Sequence, residues 1–241
     1  MRRCCAVWKA YDTTDSHPIG CFGMKLVGCV AGPFQTNCWM VINSETASVT
    51  VIDPGYGAAK IVDDYCQEQQ LTVGEILLTH GHIDHMRDAG VLATTHGCTV
   101  SIHPDDAFML TDPSGGVSSQ AMALHDVGSM VKVPADSLQQ LTHEQQITIG
   151  EEQFTVRHAP GHSPGSVLLV GEEICFSGDV LFKGSIGRTD LPGSDWSAME
   201  QTLANQVLTL PDNLMILPGH GPTTKMQAER LGNPYLRKYQ S

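Results

Sequence analysis

A mixed α/β (α+β) fold, with two β-sheets packed together and helices on their outer faces, is the fold class that the sequence predicts. Two strand-rich regions, each with its own helical patterns, make up most of the chain. Strands and helices with one apolar face must bury that face against another element, and stacked layers achieve this. With 241 residues, 41% of them hydrophobic, the chain is long enough to bury one large core.

The first region begins with three β-rich runs and continues with alternating helices and strands. The runs are MKLVGCV, NCWMVIN and ASVTVIDPG, and turn-forming residues separate them as in a meander of antiparallel strands. Residues 58–71 carry Ile61, Tyr65 and Cys66 at helical spacing and predict an amphipathic helix, which the strand EILL follows. Helical spacing returns over 89–96, CTVSIH predicts a strand, and PDDAFML predicts a short helix that begins with proline.

The second region follows residues 111–137, which have two glycine-rich points and no sustained period. We interpret 111–137 as a long loop over the functional site, because long loops in compact domains are often lids. The runs ITIG, QFTVRH, SVLLV and EICFSG then predict strands. A helix begins after Ser194 or Asp195 as its N-cap, with Trp196 and Leu203 on its apolar face, and NLMILPGH is the last clear strand.

Charge and apolar content exclude several classes of partner. The formal net charge is −12, from 14 basic and 26 acidic side chains, so the phosphate backbone of a nucleic acid would be repelled. No apolar run reaches the length of about 18 residues that spans a bilayer, and no signal-peptide pattern is present at the N-terminus. We therefore expect a small-molecule substrate, no nucleic-acid or membrane partner, and no particular oligomeric state.

Cysteine usage and patterning predict the compartment and the domain organisation. The eight cysteines show no CxxC spacing and no regular disulfide framework, which favours reduced thiols in a cytoplasmic protein. Residues 1–23 show little pattern, and strand-like alternation begins at Met24. We predict that residues 1–23 are an N-terminal extension outside the fold and that residues 24–241 form a single domain.

Four apolar runs each end, within a few residues, in side chains that bind metals well. The runs are EILLTHGHIDH, QFTVRHAPGH, EEICFSGD and NLMILPGH. Side chains at strand ends meet at one edge of a sheet, and imidazole with carboxylate suits zinc, iron or manganese. Seven ligands exceed what one ion needs, so we predict two divalent cations, with zinc favoured. The predicted ligands are His80, His82 and His162 for the first ion, Asp84, His85 and His220 for the second, and Asp179 as a bridge.

A water shared by two such cations loses a proton near neutral pH and becomes a nucleophile. We therefore expect Asp84 to orient a bridging hydroxide for attack on an acyl carbon. A thiolate leaving group needs little or no general acid, which favours a thioester. The other histidines lack partners at ligand spacing, and we predict that they do not bind metal; they are His17, His96, His103, His125, His143 and His158.

The motifs THGHIDH, APGHSPGS, SGDVLF and PGHGP resemble the successive metal motifs of the metallo-β-lactamase-fold hydrolases, from Met24 to the C-terminus. The strings GSIGRTDLPG and GNPYL look like those of the glyoxalase II group, the hydroxyacylglutathione hydrolases, especially its shorter bacterial members. The resemblance implies a four-layer αββα sandwich and thioester hydrolysis. It also implies that Asp53 supports the HGH loop and that Arg188 meets a substrate carboxylate. The alternatives are Asp53 as a plain turn residue and Arg188 as a structural partner of Asp190 or Asp195.

Two features depart from the resemblance. Arg87 and Asp88 stand where many members carry two glycines, and we expect them to form an exposed pair without function. Larger glyoxalase II enzymes insert a helical segment whose basic residues bind the carboxylates of glutathione, and this chain has no room for it, so the thiol carrier stays open. Two other functions stay open as well, a persulfide dioxygenase of the same fold with one iron and a metal-binding protein without catalysis.

Overall fold

Two β-sheets form the centre of the molecule, and the structure, a computed structural model, describes residues 9–10 and 24–239. The strands of the first sheet are β1 (Lys9–Ala10), β2 (Lys25–Ala31), β3 (Thr36–Asn43), β4 (Ser48–Ile52), β5 (Thr72–Leu77), β6 (Thr99–Ile102) and β7 (Leu138–Gln140). They lie side by side in chain order. Strands β1 to β4 pair antiparallel and strands β4 to β7 pair parallel. The β-meander predicted from residue 24 is therefore the antiparallel part of this sheet.

The second sheet follows in the chain, and a separate two-stranded hairpin interrupts its strands in the sequence. The remaining strands are β8 (Gln146–Ile149), β9 (Glu152–His158), β10 (Val167–Val170), β11 (Ile174–Gly178), β12 (Leu181–Phe182), β13 (Ser185–Ile186), β14 (Met215–Pro218) and β15 (Thr224–Lys225). The sheet order is β15-β14-β11-β10-β9-β8, and β12 pairs with β13. Strands β11 and β14 are parallel, so both end at the same edge of the sheet.

The helices cover the outer faces of the two sheets. They are α1 (Ala58–Gln69), α2 (Ile83–Met86), α3 (Ala89–His96), α4 (Ser119–Leu124), α5 (Trp196–Thr202), α6 (Met226–Gly232) and α7 (Pro234–Arg237). One apolar cluster, with Trp39 and Phe154 among its members, takes side chains from both sheets and lies between them. A second cluster packs α1 and α3 on the first sheet, and a third packs α5 on the second. The predicted αββα sandwich is confirmed.

Local sequence signals at the helix ends agree with the structure. The segment 111–137, which we interpreted as a long loop, contains short helical pieces. Asp195 is the N-cap of α5, because its side chain accepts a hydrogen bond of 2.9 Å from the backbone N–H of Ala198. The segment 111–137 contains α4, which Ser118 caps, and two single turns of 3₁₀ helix. These pieces are too short for hydrophobic periodicity to reveal them.

The predicted N-terminal extension lies mostly outside the described residues and stays a prediction. Two of its residues, Lys9–Ala10, pair antiparallel with β2 at the edge of the first sheet. Within the described part of the chain, no helix is long and apolar enough to cross a membrane. The five cysteines there have free thiols: Cys29, Cys38, Cys66, Cys98 and Cys175.

Candidate metal centre

The seven predicted ligands lie together at one edge of the sandwich, in loops that follow strand ends. The histidines of the HGH motif follow β5, and the next two ligands lie in α2. His162 follows β9, Asp179 follows β11 and His220 follows β14. An isolated bridge between Thr36 and His220 joins the two sheets at this edge. The topology therefore brings together residues that are 140 positions apart in the chain.

The ligands separate into two groups of three, as the sequence predicts. The ligating atoms of His80, His82 and His162 lie within 4.8 Å of one another, and so do those of Asp84, His85 and His220. Asp179 reaches both groups. Its Oδ2 lies 3.4 Å from Nε2 of His162 and 3.5 Å from Nε2 of His220, and its Oδ1 lies 3.4 Å from Nε2 of His85. The position of this carboxylate fits the predicted bridge.

Hydrogen bonds at Nδ1 fix the tautomers of four of the five imidazoles. Nδ1 of His162 donates to the carbonyl of Arg188 at 2.9 Å, and Nδ1 of His220 donates to the carbonyl of Phe34 at 3.1 Å. Nδ1 of His85 donates to Asp53 at 2.9 Å. Nδ1 of His80 donates at 3.1 Å to the hydroxyl of Thr79, which itself donates to Asp53. In the neutral form of each ring, Nε2 therefore carries a lone pair.

These lone pairs face one another and the carboxylate oxygens. Nε2 of His85 and Nε2 of His220 are 3.3 Å apart, and Nε2 of His220 is 3.1 Å from Oδ2 of Asp84. Electron pairs at such distances repel unless protons or cations lie among them. A tetrahedral ion with ligands at about 2.0–2.2 Å has ligand–ligand edges of about 3.3–3.6 Å. The spacing of the donor atoms is close to that of a coordination shell.

Several buried polar atoms at this edge have no hydrogen-bond partner. They are Nε2 of His80, His82 and His162 and Oδ1 of Asp179. Buried polar atoms in proteins almost always have a partner, so four unpartnered polar atoms at one place need an explanation. Divalent cations would bind all four atoms. The residues present therefore fit the metal ions that imidazole and carboxylate ligands imply.

Burial and mutual charge move the pKa values of three of the predicted ligands, His80, His82 and Asp179, toward their metal-binding forms. Burial, followed by the neighbouring imidazoles, holds the pKa of His80 well below its usual range and lowers the pKa of His82 to about 3. For Asp179, burial raises the pKa, but the charge of the neighbouring His85 outweighs burial and lowers the pKa to about 2. These groups are neutral imidazoles and an ionised carboxylate at pH 7, the forms that bind metals.

His85 behaves differently because three carboxylates surround it. Burial lowers its pKa, but Asp179, Asp84 and Asp53 outweigh this effect and raise the pKa well above the usual range. A cation that binds to His85 must therefore displace a proton.

Asp53 lies beneath the ligands and holds them in place. It is 1% exposed, and its carboxylate accepts hydrogen bonds from the backbone N–H of Thr79 at 2.8 Å, from the Thr79 hydroxyl at 2.7 Å and from His85. Its φ of 53° is unusual for a residue other than glycine, and such strain is typical of functional sites. These contacts are those of a support for the ligand loop and not of a plain turn residue.

The prediction that Arg87 and Asp88 form an exposed pair without function is wrong. They are 4% and 7% exposed. Arg87 donates to the carbonyls of His125 and Asp126 at 2.9 and 3.1 Å and to the hydroxyl of Ser129 at 2.8 Å. Asp88 accepts from the first turn of α1 at Ala59 N–H. The sequence could not reveal these roles, because both sets of partners are distant in the chain.

Arg87 thereby holds the segment 111–137, which we call the flap, against the metal centre. At Gly116 a Cβ atom would lie 2.5 Å from Cδ2 of His82, so the backbone of the flap packs directly on a predicted ligand. At Gly90 in α3 a Cβ would lie 2.0 Å from the carbonyl oxygen of Val131. The flap lies beside the site, as we expected, and is fixed at both of these contacts.

Arg87→Ala is expected to loosen the flap. The loss of even one hydrogen bond from a charged donor costs about 1.5–3 kcal/mol, which increases the open population about 10- to 150-fold. Cleavage within the flap by a protease at low concentration should accelerate by that factor. Arg237→Ala, which removes an exposed arginine bound to one carbonyl, is the control. Equal cleavage rates in the two variants would contradict the anchoring role.

The side chain of Arg188 is exposed and pairs with an aspartate of its own loop. Its guanidinium binds Asp190 through two hydrogen bonds of 2.6 and 2.8 Å, and the side chain is 62% exposed. The backbone carbonyl of Arg188 is the acceptor for His162. The structure therefore shows the pair with Asp190 that the sequence left as an alternative, beside a direct contact between this loop and the site.

Two of the histidines that we predicted not to bind metal stack on each other. The rings of His103 and His158 are 4.0 Å apart and nearly parallel, at 7°, and Asp105 lies nearby. One ligating atom of each ring and one carboxylate oxygen of Asp105 lie within 4.8 Å of one another, so the spacing alone does not exclude an ion at this second place. Nε2 of His158 donates to the carbonyl of Pro164 at 2.8 Å, beneath the loop of His162. His17 lies outside the described residues.

Sequence reasoning missed several residues that support the ligands. The hydroxyl of Thr36 donates to Asp84 at 3.2 Å, and the side chain of Asn37 donates to the carbonyls of Pro218 and Gly221 at 2.9 Å each, on either side of His220. Asp106 is buried between two ligand loops. Threonine and asparagine at the start of β3 look like ordinary strand residues, and no local pattern distinguishes them.

Known proteins carry a similar sequence over most of the length of this chain. Residues 31–220 match the profile of the Metallo-beta-lactamase superfamily. An uncharacterized protein of Mycobacterium leprae is 36% identical over 88% of this chain and 99% of its own length. Hydroxyacylglutathione hydrolase GloC of Haemophilus influenzae is 31% identical over 84% of this chain and 93% of its own length.

Two solved structures share both the fold and a substantial part of the sequence. The BLEG-1 B3 metallo-beta-lactamase is 38% identical with a TM-score of 0.76, over 88% of this chain and 99% of that one. The protein TTHA1623, solved in a di-iron-bound form, is 34% identical with a TM-score of 0.72, over 86% of this chain and 98% of that one.

Proposed function

Because the chain belongs to the metallo-beta-lactamase superfamily, we propose that it is a dinuclear metal-dependent hydrolase that cleaves thioesters of the hydroxyacylglutathione type. The observation that carries the proposal is the set of fixed tautomers. Four imidazoles turn Nε2 toward a space that they share with two carboxylates, and no hydrogen-bond partner satisfies Nε2 of His80 or His162 there.

Each ligand has a distinct place in the proposed mechanism. His80, His82 and His162 would hold one ion, and Asp84, His85 and His220 the other, with Asp179 between them. Divalent cations at such a site activate water near neutral pH and polarise an acyl oxygen. Asp53 holds His85 in the tautomer that leaves Nε2 free, and Thr36 orients the carboxylate of Asp84.

The choice of a thioester rests on the leaving group and on one relative. A thiolate with a pKa near that of free cysteine departs without a proton, so the side chains need supply no general acid. The similarity to GloC supports the same choice. The likeness to the BLEG-1 lactamase favours a second candidate, the hydrolysis of a lactam, whose amine leaving group needs a proton.

We propose zinc as the metal, with iron and manganese as the alternatives, since imidazole and carboxylate ligands suit all three. The di-iron form of TTHA1623 supports iron as the first alternative. For the compartment we propose the cytoplasm, on the free thiols of the five described cysteines.

The test is to purify the protein without added metal, to count metals per chain, and to offer S-lactoylglutathione, a β-lactam and a persulfide separately. Two metals per chain and release of thiol without oxygen uptake are the expected results. Faster opening of the β-lactam would establish a lactamase, and oxygen uptake with one iron per chain would establish a dioxygenase. Tight metal retention without any turnover would establish a metal-binding protein. His162→Ala, purified in the same way, measures the background from contaminating hydrolases.

Arg188→Ala is expected to raise KM for S-lactoylglutathione about 10- to 150-fold while kcat changes little, if Arg188 binds a substrate carboxylate. The exposed pair with Asp190 is no obstacle, because surface ion pairs contribute at most about 1 kcal/mol and exchange easily. Asp190→Asn is the matched variant and should lower KM, because it frees the guanidinium. An unchanged KM in both variants would assign Arg188 to its pair with Asp190 alone.

A further inference from the structure

We propose that Asp106 is a positioning residue that sets the distance between the two loops that carry the ligands of the first ion. The inference rests on the proposed metal site and extends it to a residue outside the ligand set. Asp106 lies in the 3₁₀ helix Pro104–Leu110, directly after β6, and its side chain is completely buried. A buried carboxylate is costly unless hydrogen bonds compensate its charge.

The carboxylate of Asp106 binds both ligand loops at once. Its Oδ2 accepts from the backbone N–H of Gly81 at 2.8 Å and from the hydroxyl of Ser163 at 2.6 Å. Its Oδ1 accepts from the backbone N–H of Gly165 at 2.6 Å. Gly81 lies between the two histidines of the HGH motif, and Ser163 follows His162. Oδ2 therefore joins the two loops, and Oδ1 adds a second contact to the loop of His162.

Both backbone donors belong to glycines, and the close approach of the carboxylate requires this. A Cβ atom at Gly165 would lie 2.7 Å from Cγ of Asp106. A Cβ at Gly81 would lie 2.9 Å from the backbone oxygen of Asp106 and 3.0 Å from Cβ of Met109. Side chains at either position would push Asp106 away from the loops. Glycine at positions 81 and 165 therefore allows the close contact with Asp106, and a larger residue at either position would disturb it.

Neighbouring contacts fix the second loop to the same short segment. The hydroxyls of Ser163 and Ser166 are 2.7 Å apart, and the backbone N–H of Ser163 donates to Ser166. The stacked pair of His103 and His158 lies below, with His158 bound to the carbonyl of Pro164. The segment 103–106, which follows β6 of the first sheet, therefore holds the loop of His162 at several points.

The consequence concerns the distance between histidines that come from different sheets. The HGH motif follows a strand of the first sheet and His162 follows a strand of the second, so no local hydrogen bond within either loop fixes their separation. Metal sites tolerate errors of only about 0.2 Å in ligand distances. Loss of a residue that orients ligands typically weakens metal affinity about 10- to 100-fold, and we expect that range for Asp106.

The decisive variant is Asp106→Asn, examined by titration of the metal-free protein with Co²⁺ against a competing chelator and by the visible spectrum of bound Co²⁺. Asparagine keeps the size of aspartate but places an amide NH₂ against a backbone N–H, so one loop loses its acceptor. The expected result is a 10- to 100-fold higher Kd for one of the two Co²⁺ equivalents and a changed spectrum. Unchanged Kd values and an unchanged spectrum would overturn the proposal.

Glu229→Gln is the matched control. Glu229 is also a buried carboxylate with three hydrogen bonds, to Gly184 N–H, the Thr224 hydroxyl and the Asn233 side chain, and none of these partners is a predicted ligand. The control should lose thermal stability but keep both Co²⁺ affinities. An equal loss of affinity in the control would show that Asp106 acts only through general stability.

A third variant covers the case in which Asp106→Asn does not fold. Ser163→Ala removes one of the three hydrogen bonds to Asp106 and should weaken Co²⁺ binding in the same direction by a smaller factor; an unchanged affinity would then overturn the proposal. The titration contains no substrate, so a parent protein that binds Co²⁺ but cleaves no thioester would refute the proposed function and leave the role of Asp106 to be decided by the variants.

Discussion

Asp84→Ala is expected to remove one of the two metal ions and to lower kcat for thioester hydrolysis by at least about 100-fold, the upper range for loss of a residue that only orients ligands. Asp84 is nearly buried, and its Oδ2 lies 3.1 Å from Nε2 of His220 and 3.5 Å from Nε2 of His85. Without this carboxylate the second group keeps two imidazoles and a share of Asp179. The first group keeps His80, His82 and His162 and should still hold one ion.

The measurement is elemental analysis of parent and variant beside steady-state kinetics. Asp64→Ala is the control, because it removes an exposed carboxylate that pairs with Lys60 on the surface of α1. A single metal in the parent protein, with no change in the variant, would exclude the dinuclear site. Loss of both ions in the variant would show instead that the two metal positions fill together. The first group of ligands and Asp179 would then be unable to hold an ion without the second ion.

Removal of the metals is expected to abolish hydrolysis and to lower the melting temperature by about 8–16 °C relative to protein with free metal at 1,000 times Kd. Binding to the folded state at that concentration contributes about 4 kcal/mol, and each kcal/mol corresponds to about 2–4 °C for a chain of this size. The structural reason is that the metal-free site leaves unpartnered polar atoms in a buried position.

The experiment dialyses the protein against a chelator, records the melting curve, and adds back Zn²⁺, Fe²⁺ or Mn²⁺ separately. The physiological candidate is the ion that restores both the melting temperature and the rate. Asp179→Asn is a useful comparison, since it removes the charge of the proposed bridge and should reduce the stabilisation that added metal gives. A melting temperature that the chelator leaves unchanged would contradict a metal site built into the folded state.

The sequence by itself predicted which side chains gather at this edge because the relevant signals are local. Each apolar run marks a buried strand, and a histidine or aspartate that directly follows the strand must emerge at the edge of its sheet. The spacing of HGHIDH also confines four candidate ligands to one turn and the short helix α2. Helix α1 and the N-cap of α5 were predictable for the same reason, since propensity and capping depend on neighbouring residues.

Only the tertiary structure decided which residues support those ligands. Asp106 and Arg87 bind partners that lie between 25 and 59 positions away in the chain, and sequence spacing carries no information about such contacts. The run PDD looks like the acidic first turn of a short helix, and Arg87 looks like a surface charge after a metal motif. Their roles arise because two sheets and the flap meet at one edge, where a buried charge must find hydrogen-bond partners from whichever segments the packing brings there.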